Sequence, residues 1–484
     1  MPADPITLAA LAPVCRGVVF GDGAVAVTDV THDSRAAGVG VLFVAVRGRT
    51  TDGHRFVPTA VAAGSPAVCV EVRDDAVRVP ALVVADTRAA LAPLAAEVHG
   101  RPSDRLRLVG VTGTNGKTTV THLIESICRR AGIPEAMAGT VGARIRGRFV
   151  PMVRTTPEAT DFQRMLRRMV DAGVDVAAVE VSSHALSLGR VAETRFRVGA
   201  FTNLSQDHLD FHGDMESYER AKVALFAQCE RAVVWIDDEA GRRVAGGLSL
   251  PVMAVGTSQD ADLRVGGVAL AFSGSRFSLG NGSRSLELEV PLAGRFNVAN
   301  AALAAACARS LGIDDGAIAA GIASVDRVPG RFDLVATGGG FTVVVDYAHT
   351  PNGIVAVIGA AREILAGSGR VIVVAGAGGD RDRAKRPLMG SAACRADVAV
   401  LTTDNPRSER PEDVLAEVVA GSHGPAEVIV EIDRRRAISR AVGVARPGDV
   451  VLLLGKGHEQ TQDFGDRVVP FDDRVVAVEE AEKL

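Results

Sequence analysis

The chain has 484 residues, of which 47% are hydrophobic and 23% charged, and a formal net charge of −4. This balance excludes a disordered chain and argues against a general nucleic-acid binder, and the length exceeds one ordinary core, so about two to four domains are expected. The opening MPADPITLAALAPVC has no basic segment followed by a long apolar one, and no apolar run approaches the roughly 18–20 residues that cross a bilayer, so neither a signal peptide nor a membrane span is expected.

In chain order, the first third carries THDSR (31–35) and LFVAVRGRTTDGHRF (42–56) and ends on HGRPSDRLR (99–107), a polar Pro/Ser segment of linker composition. LRLVGV then reads as a strand and KTTVTHLIESICRRAG as a helix with an apolar face of Val120, Leu123, Ile124 and Ile127. TDFQRMLRRMVDAG and VDVAAVEVSS repeat the helix–strand alternation. LRVGGVALAFSGSRFSLGNGSRSLELEVPLAG alternates apolar and polar residues between turn signals and predicts a small antiparallel sheet inserted in an α/β domain. A second linker-like stretch, SVDRVPGRFDLVATGGG, covers 324–340. The whole reads as α/β with mostly parallel sheets, whose strands look continuously apolar because helices cover both faces. The two breaks divide it into 1–107, 108–330 and 331–484. Six scattered cysteines (Cys15, Cys69, Cys128, Cys229, Cys307, Cys394) form no C-x-x-C pair, so buried thiols in a reducing cytoplasmic setting are expected, without zinc or disulfides.

The stretch GVTGTNGKTT (110–119) lies between the strand and the helix, where backbone N–H groups and a helix N-terminus can hold an anion. It departs from the usual phosphate loop by one residue: Val111 stands where the first glycine belongs, with Gly110 and Gly113 on either side. A tight turn with a surface lysine is the bland alternative. As a phosphate loop, it would set Lys117 on the β/γ-phosphate oxygens and Thr118 on Mg²⁺. Glu180 ends the apolar run VAAVE, at the strand edge where α/β sheets bind ligands, so its carboxylate could hold a cation; taken alone it would be a salt-bridge partner.

GTNGKTT is the form of the loop found in the Mur ligase superfamily. EVSSHAL (180–186), TNLSQDHLDFHG (202–213), GRFNVANAALAA (294–305), PGRFD (329–333), DYAHTPNG (346–353) and GAGGDRDRAKRPLMG (376–390) resemble that family in the right order, over nearly the whole chain. The resemblance implies three domains: an N-terminal UDP-binding α/β domain, a central P-loop ATPase-like domain and a C-terminal Rossmann-like α/β domain. It implies an enzyme that joins an amino acid to a carboxylate with ATP through an acyl phosphate. Gly113, Thr114, Asn115, Gly116, Lys117, Thr118, Thr119, Asn300, Arg331 and Asp346 would then bind ATP. Thr118, Glu180, His208 and a carbamylated Lys222 would hold Mg²⁺, with Lys117, Lys222, Glu180 and His208 as the catalytic set. Without the resemblance, His208 reads as structural, Asn300 as an ordinary helical polar residue and Lys222 as a lysine on a solvated helix face.

THDSR and the segment after it resemble the UDP-binding domain of the branch that adds the third peptide residue of a cell-wall precursor. His32, Ser34, Arg49, Thr50 and Thr51 would contact the uridine diphosphate, with Arg35 structural or phosphate-facing, and Thr155, Thr156, Ser182 and Arg190 would contact the muramoyl-dipeptide. Leu188 stands where relatives often have a glutamine, so that contact is not carried over. D-N-P-R at 404–407 resembles the diaminopimelate-adding version. Its arginine could grip the second carboxylate of meso-diaminopimelate and would repel the terminal ammonium of lysine. Arg381, Asp404, Asn405, Pro406, Arg407, Gly455 and Glu459 would bind this amino acid. The implied partners are UDP-N-acetylmuramoyl-L-Ala-D-Glu and meso-diaminopimelate, with ATP and Mg²⁺, for a cytoplasmic monomer that meets neither nucleic acid nor membrane. Three alternatives stay open: a folylpolyglutamate-type ligase, which lacks the first domain; a sister ligase adding lysine or D-Ala-D-Ala; and a non-enzymatic nucleotide switch, which would turn over ATP without a peptide substrate.

Overall fold

Short runs of Val, Ile, Leu and Ala become strands here because helices cover both faces of each sheet. The computed structural model describes residues 4–48, 51–282 and 284–483 and builds three main sheets. The first has five strands in the order Val18–Phe20, Ala81–Val83, Ala67–Val70, Val41–Val44 and Asp29–Thr31, parallel except for the first. Helix Thr87–Val98 covers one face, its N-terminus capped by Asp86, which accepts hydrogen bonds from the Arg88 and Ala89 amides.

The second sheet has eleven strands. At its centre Arg107–Thr112 lies between Val176–Glu180 and Val198–Phe201, all parallel. One edge turns antiparallel through Glu135–Gly139, Gly142–Ile145 and Arg148–Val150. The other runs through Ala232–Trp235 and Val252–Gly256 to the antiparallel strands Leu263–Ala271, Gly274–Gly280 and Ser285–Val290. The expected small inserted sheet is therefore not separate. Leu263 pairs in parallel with Val255, so the hairpin strands prolong the main sheet, their alternation reflecting one buried face.

The third sheet has six strands in the order Asp333–Val335, Thr342–Asp346, Val450–Leu454, Val371–Ala375, Val398–Leu401 and Glu427–Val430, only the first antiparallel. Separate cores fill its two faces. The stretches of linker composition are packed rather than loose. Pro102 and Ser103 are buried in a 3₁₀ turn, and Val325, Val328 and Phe332 are buried in the second stretch. Their Pro, Gly and charged residues conceal a few inward-facing apolar ones. The six cysteines are free thiols, and no described helix is long and apolar enough to cross a membrane.

Helix Lys117–Arg130, which leaves the glycine loop, is sandwiched between the sheet and helices Arg295–Ser310 and Asp315–Ala323. The last helix comes so close that a Cβ on Gly321 would lie 2.4 Å from Ile127 Cα, and Ser126 Oγ donates to the Gly321 carbonyl at 2.7 Å. The helix that holds the loop is thereby fixed along its length. Gly321→Val is expected to lower the unfolding free energy by about 1–3 kcal/mol in urea titration. Gly246→Ala, at a helical position with no atom within 4 Å of the added Cβ, serves as the control and should cost nothing; equal effects at both positions would count against the close-packing account.

Candidate active site

The loop is shaped by what its glycines touch. Gly113 has φ +139° and Gly116 φ +89°, and added Cβ atoms would lie 1.9 Å from Thr202 Oγ1 and 2.3 Å from Asn300 Oδ1. Asn300 is therefore set against the loop itself. The Thr114 hydroxyl sits 3.2 Å from the Tyr218 hydroxyl, and the Asn115 amide donates to Asn203 Oδ1 at 3.0 Å. Thr118 and Thr119 are buried at the first turn of the helix.

Two lysines converge on one carbonyl. Lys117 Nζ donates to the Gly113 and Thr114 oxygens at 2.9 and 2.8 Å, and Lys222 Nζ donates to the same Gly113 oxygen at 2.8 Å. Lys222 is only 1% exposed and lies 4.3 Å above the Tyr218 ring, so its reading as a solvated helical lysine is corrected: its helix packs inward. Burial, and then the Lys117 charge, hold its amine well below the ordinary lysine range. Burial also lowers Lys117.

Glu180 is 1% exposed. It accepts from the Thr140 amide at 2.9 Å and the Thr140 hydroxyl at 3.0 Å, and that hydroxyl meets Thr155 Oγ1 at 3.1 Å. His208 takes a left-handed φ of +55° that turns its ring toward His184, with ring centroids 4.7 Å apart. Burial holds the imidazole below its usual pKa, leaving it neutral with a lone pair to offer. A divalent cation fits the chemistry of these groups. Among the described residues no three His, Cys, Asp or Glu side chains form a metal cluster. One carboxylate, one hydroxyl and a neutral imidazole instead suit a hard cation that completes its shell with water and phosphate oxygens.

The third sheet's unit meets the second beside the loop. Arg331 donates to Thr118 Oγ1 at 3.1 Å and stacks 4.6 Å from the Tyr347 ring centroid. Buried Asp207 lies 3.5 Å from Lys385 Nζ and 3.9 Å from His349. Asp346 spends both oxygens on backbone amides, those of Phe332 and Ala348, each at 2.7 Å.

Thr156 Oγ1 donates to the Glu180 carbonyl at 2.8 Å and accepts from the Ser182 amide at 3.1 Å. Ser182 Oγ caps the short helix Ser183–Ser187, whose C-terminal end is Leu188. Arg190 donates to the Thr156 carbonyl at 3.2 Å and pairs with Glu158 at 2.8 Å. Glu158 also binds Arg88 of the first unit at 2.7 Å and Arg154 at 2.9 Å. Neither Glu158 nor Arg88 stood out in the sequence; the only signal was Glu158's place in VRTTPEA. Burial would raise the Glu158 carboxyl, but Arg190 and then Arg88 bring it below its ordinary value. His32 Nδ1 lies 3.1 Å from Thr160 Oγ1, which joins the first unit to the second. Ser34 opens a short turn capped by Asp33, exposed Arg35 pairs with Asp33, and Thr51 is exposed. Arg49 and Thr50 lie outside the described residues.

A cleft of about 150 Å³ opens between His208 on the second unit and Arg381, Asp404, Arg407, Gly455 and Glu459 on the third. Arg407 has φ +52° and donates to the Gly379 carbonyl at 2.6 Å; a Cβ on Gly378 would lie 2.8 Å from its NH1. Pro406 packs against Gly379. Among the described residues neither Arg381 nor Arg407 has an acidic partner within ion-pair distance. Asn405 Nδ2 donates to Glu459 Oε2 at 2.8 Å. A larger cavity of about 650 Å³, beside Phe20, Val57 and Pro80, carries none of the candidate residues.

Three family models match in succession: Mur ligase family, catalytic domain, over residues 26–99; Mur ligase middle domain over 111–308; and Mur ligase, glutamate ligase domain, over 330–457. A protein of Geobacillus thermodenitrificans named UDP-N-acetylmuramoyl-L-alanyl-D-glutamate--2,6-diaminopimelate ligase is 46% identical over 456 residues, covering 92% of this chain and 93% of that one. One of the same name from Streptomyces coelicolor is 43% identical over 482 residues, covering 96% and 95%. A solved structure of that name superposes with a TM-score of 0.70 at 29% identity, covering 99% of each chain.

The three arginines on Glu158 carry a stability consequence. Glu158→Gln is expected to cost about 1–3 kcal/mol at pH 7, a value reduced by the solvent around Arg88 and Arg154. A depressed carboxyl stabilises the fold above the ordinary glutamate pKa, and that contribution is lost as pH falls through the lowered folded value. Urea curves of the two proteins should therefore separate at pH 7 and converge in strong acid; a gap independent of pH would contradict the ion-pair origin.

Proposed function

This chain belongs to the Mur ligase family, and from that premise we propose that it is the ATP-dependent ligase that adds meso-diaminopimelate to UDP-N-acetylmuramoyl-L-Ala-D-Glu during peptidoglycan precursor synthesis. The observation that carries the choice of amino acid is the cleft. Two guanidiniums that have no acidic partner among the described residues, Arg381 and Arg407, share it with Glu459 and Asp404. That set complements an amino acid with two carboxylates and two ammonium groups. We assign residues 1–107 to the UDP-sugar domain, 108–330 to the ATP domain and 331–484 to the amino-acid domain, working in the cytoplasm as a monomer. The free thiols suit a reducing compartment.

The chemistry has two steps. An oxygen of the D-Glu γ-carboxylate attacks the γ-phosphorus of ATP; the new O–P bond forms as the bond to ADP breaks, giving an acyl phosphate. An amine of diaminopimelate then attacks the acyl carbon, phosphate leaves with its electron pair, and the amine proton passes to solvent or base as the amide forms. Lys117 and the loop amides gather the phosphate oxygens, which requires Lys117 to release the Gly113 and Thr114 carbonyls. Thr118, Glu180 and His208, with Lys222, would hold Mg²⁺. Bound there, the cation would neutralise charge on the transferred phosphoryl group. An amine held well below the ordinary lysine range, as Lys222 is, suits addition to CO₂, with loss of one proton, to make the carbamate. Thr155, Thr156, Ser182 and Arg190 would place the D-Glu carboxylate. Arg331 would reach the phosphates from the third unit, closing it over the second and excluding water from the acyl phosphate. Asp346, which holds the Phe332 amide beside Arg331, would steady that reach and the ribose.

The deciding assay follows phosphate release and product mass with ATP, Mg²⁺ and UDP-N-acetylmuramoyl-L-Ala-D-Glu, offering meso-diaminopimelate and L-lysine in parallel. Turnover with diaminopimelate alone is expected. Turnover with lysine instead would sink the assignment of the amino acid, and ATP hydrolysis indifferent to the dipeptide would sink the ligase. Lys222→Met should lower kcat by about 10–100-fold or more and abolish a carbamate resonance seen with ¹³C-bicarbonate; full activity in this variant would remove the lysine from the mechanism.

A further inference from the structure

Of the buried cations that belong to none of these assignments, one touches residues of the cleft itself. Lys456 is 0% exposed, yet it is a lysine in a loop, between Gly455 and Gly457. Burying an ammonium is costly unless its surroundings replace water. What surrounds Lys456 is the amino-acid site from beneath. Its Nζ lies 3.1 Å from Asn405 Oδ1, 3.3 Å from Glu459 Oε2 and 3.7 Å from Asp404 Oδ1. The flanking glycines take φ +109° and +54°. A Cβ on Gly455 would lie 2.8 Å from Asp404 Oδ2, and one on Gly457 2.6 Å from Tyr347 Cβ. The chain thus uses two glycines to turn tightly enough to drop this lysine inward.

The contact settles which way Asn405 points. Asn405 Oδ1 faces two groups, the Lys456 ammonium and the Asp463 amide at 3.0 Å. Both only donate, so the atom between them must be the oxygen. The amide nitrogen is thereby turned onto Glu459 Oε2 at 2.8 Å. Glu459 Oε2 is filled from two sides, whereas Oε1 makes no hydrogen bond among the described residues. Asp404 Oδ1, buried beside the same ammonium, also has no hydrogen-bond partner. Lys456 therefore acts on charge as well as orientation. It sets a cation directly against Asp404 and Glu459, adding to the charge of buried Arg434, which stands on the Thr403 and Leu454 carbonyls.

We propose that Lys456 is a positioning residue for the amino-acid substrate: it orients Asn405, presents one oxygen of Glu459 to the ligand's ammonium, and makes the cleft less attractive to an amino acid whose far end is a bare cation. The proposal rests on the diaminopimelate reading above. A far end with one ammonium and one carboxylate needs Glu459 Oε1 and Arg407 together. A far end with only an ammonium would gain from less compensated acids, and Lys456 reduces that gain.

The test measures KM and kcat for all three substrates, and the ratio of kcat/KM for L-lysine to that for meso-diaminopimelate, in wild type, Lys456→Met and Lys456→Gln. In the methionine variant the KM for diaminopimelate is expected to rise about tenfold, with those for ATP and the UDP-dipeptide within about twofold, and the lysine ratio to rise about fivefold or more. Glutamine keeps an N–H donor for Asn405 without the charge. It should restore most of the KM and none of the discrimination, and it carries the test if the methionine variant does not fold. A diaminopimelate KM within about twofold of wild type in the folded variants, or a kcat loss with all three KM values unchanged, overturns the role of Lys456 while leaving the ligase intact. A wild-type enzyme that uses only lysine overturns both.

Discussion

The whole site depends on three parallel strands that end at one level. In the register of the central sheet Glu180 stands opposite Val111, and Phe201 opposite Thr112. The next residues of each strand, the glycine loop, the Val181–Ser182 turn and Thr202–Asn203, therefore emerge side by side. Shifting one strand by a single residue would turn Glu180 to the other face of the sheet. The contacts that follow from this alignment include backbone ones: Thr114 N to Asn203 O, and Gly113 against the Asn203 backbone. An anion site made of amides needs such rigidity, because an amide has no rotamer with which to correct its aim.

Around that edge the molecule places charges where solvent cannot screen them, each in a different way. Burial, and then the Lys117 charge, push the Lys222 amine toward its neutral form. Glu158 is satisfied by three guanidiniums drawn from two units. Arg434 and Asp473, both fully buried, form a pair at 2.6 Å, and Arg434 also donates to the Leu454 carbonyl at 3.0 Å, just before Gly455. That pair holds the strand end that leads into the Gly455–Glu459 loop, where Lys456 is also buried. Removing one member of such a pair leaves a stranded charge, so these positions tolerate deletion of a side chain poorly even where no substrate touches them.

Much of this was legible in the sequence. The apolar runs marked the strands, and the order of motifs brought Lys117, Glu180 and His208 to one edge and Arg381, Asp404, Arg407 and Glu459 to one cleft. What stayed hidden depends on partners far along the chain. Lys222 is buried by contact with a carbonyl 109 residues away, which no helical periodicity can announce. Glu158 takes its meaning from Arg88, 70 residues earlier. Lys456, between two glycines, carried no reading at all in the sequence. The edge hairpins were recognised as antiparallel but not as part of the main sheet, because pairing across Val255 and Leu263 leaves no trace in either strand's own pattern.

The packed connection at Gly330 has a mechanical consequence. A Cβ there would lie 2.2 Å from the His458 amide and 2.4 Å from the Gly457 carbonyl carbon, and the Gly330 carbonyl accepts from the Tyr347 amide at 2.9 Å. Residue 330 is thus packed as one body with the loop that carries Lys456 and Glu459, so any side chain added at 330 would push that loop out of place.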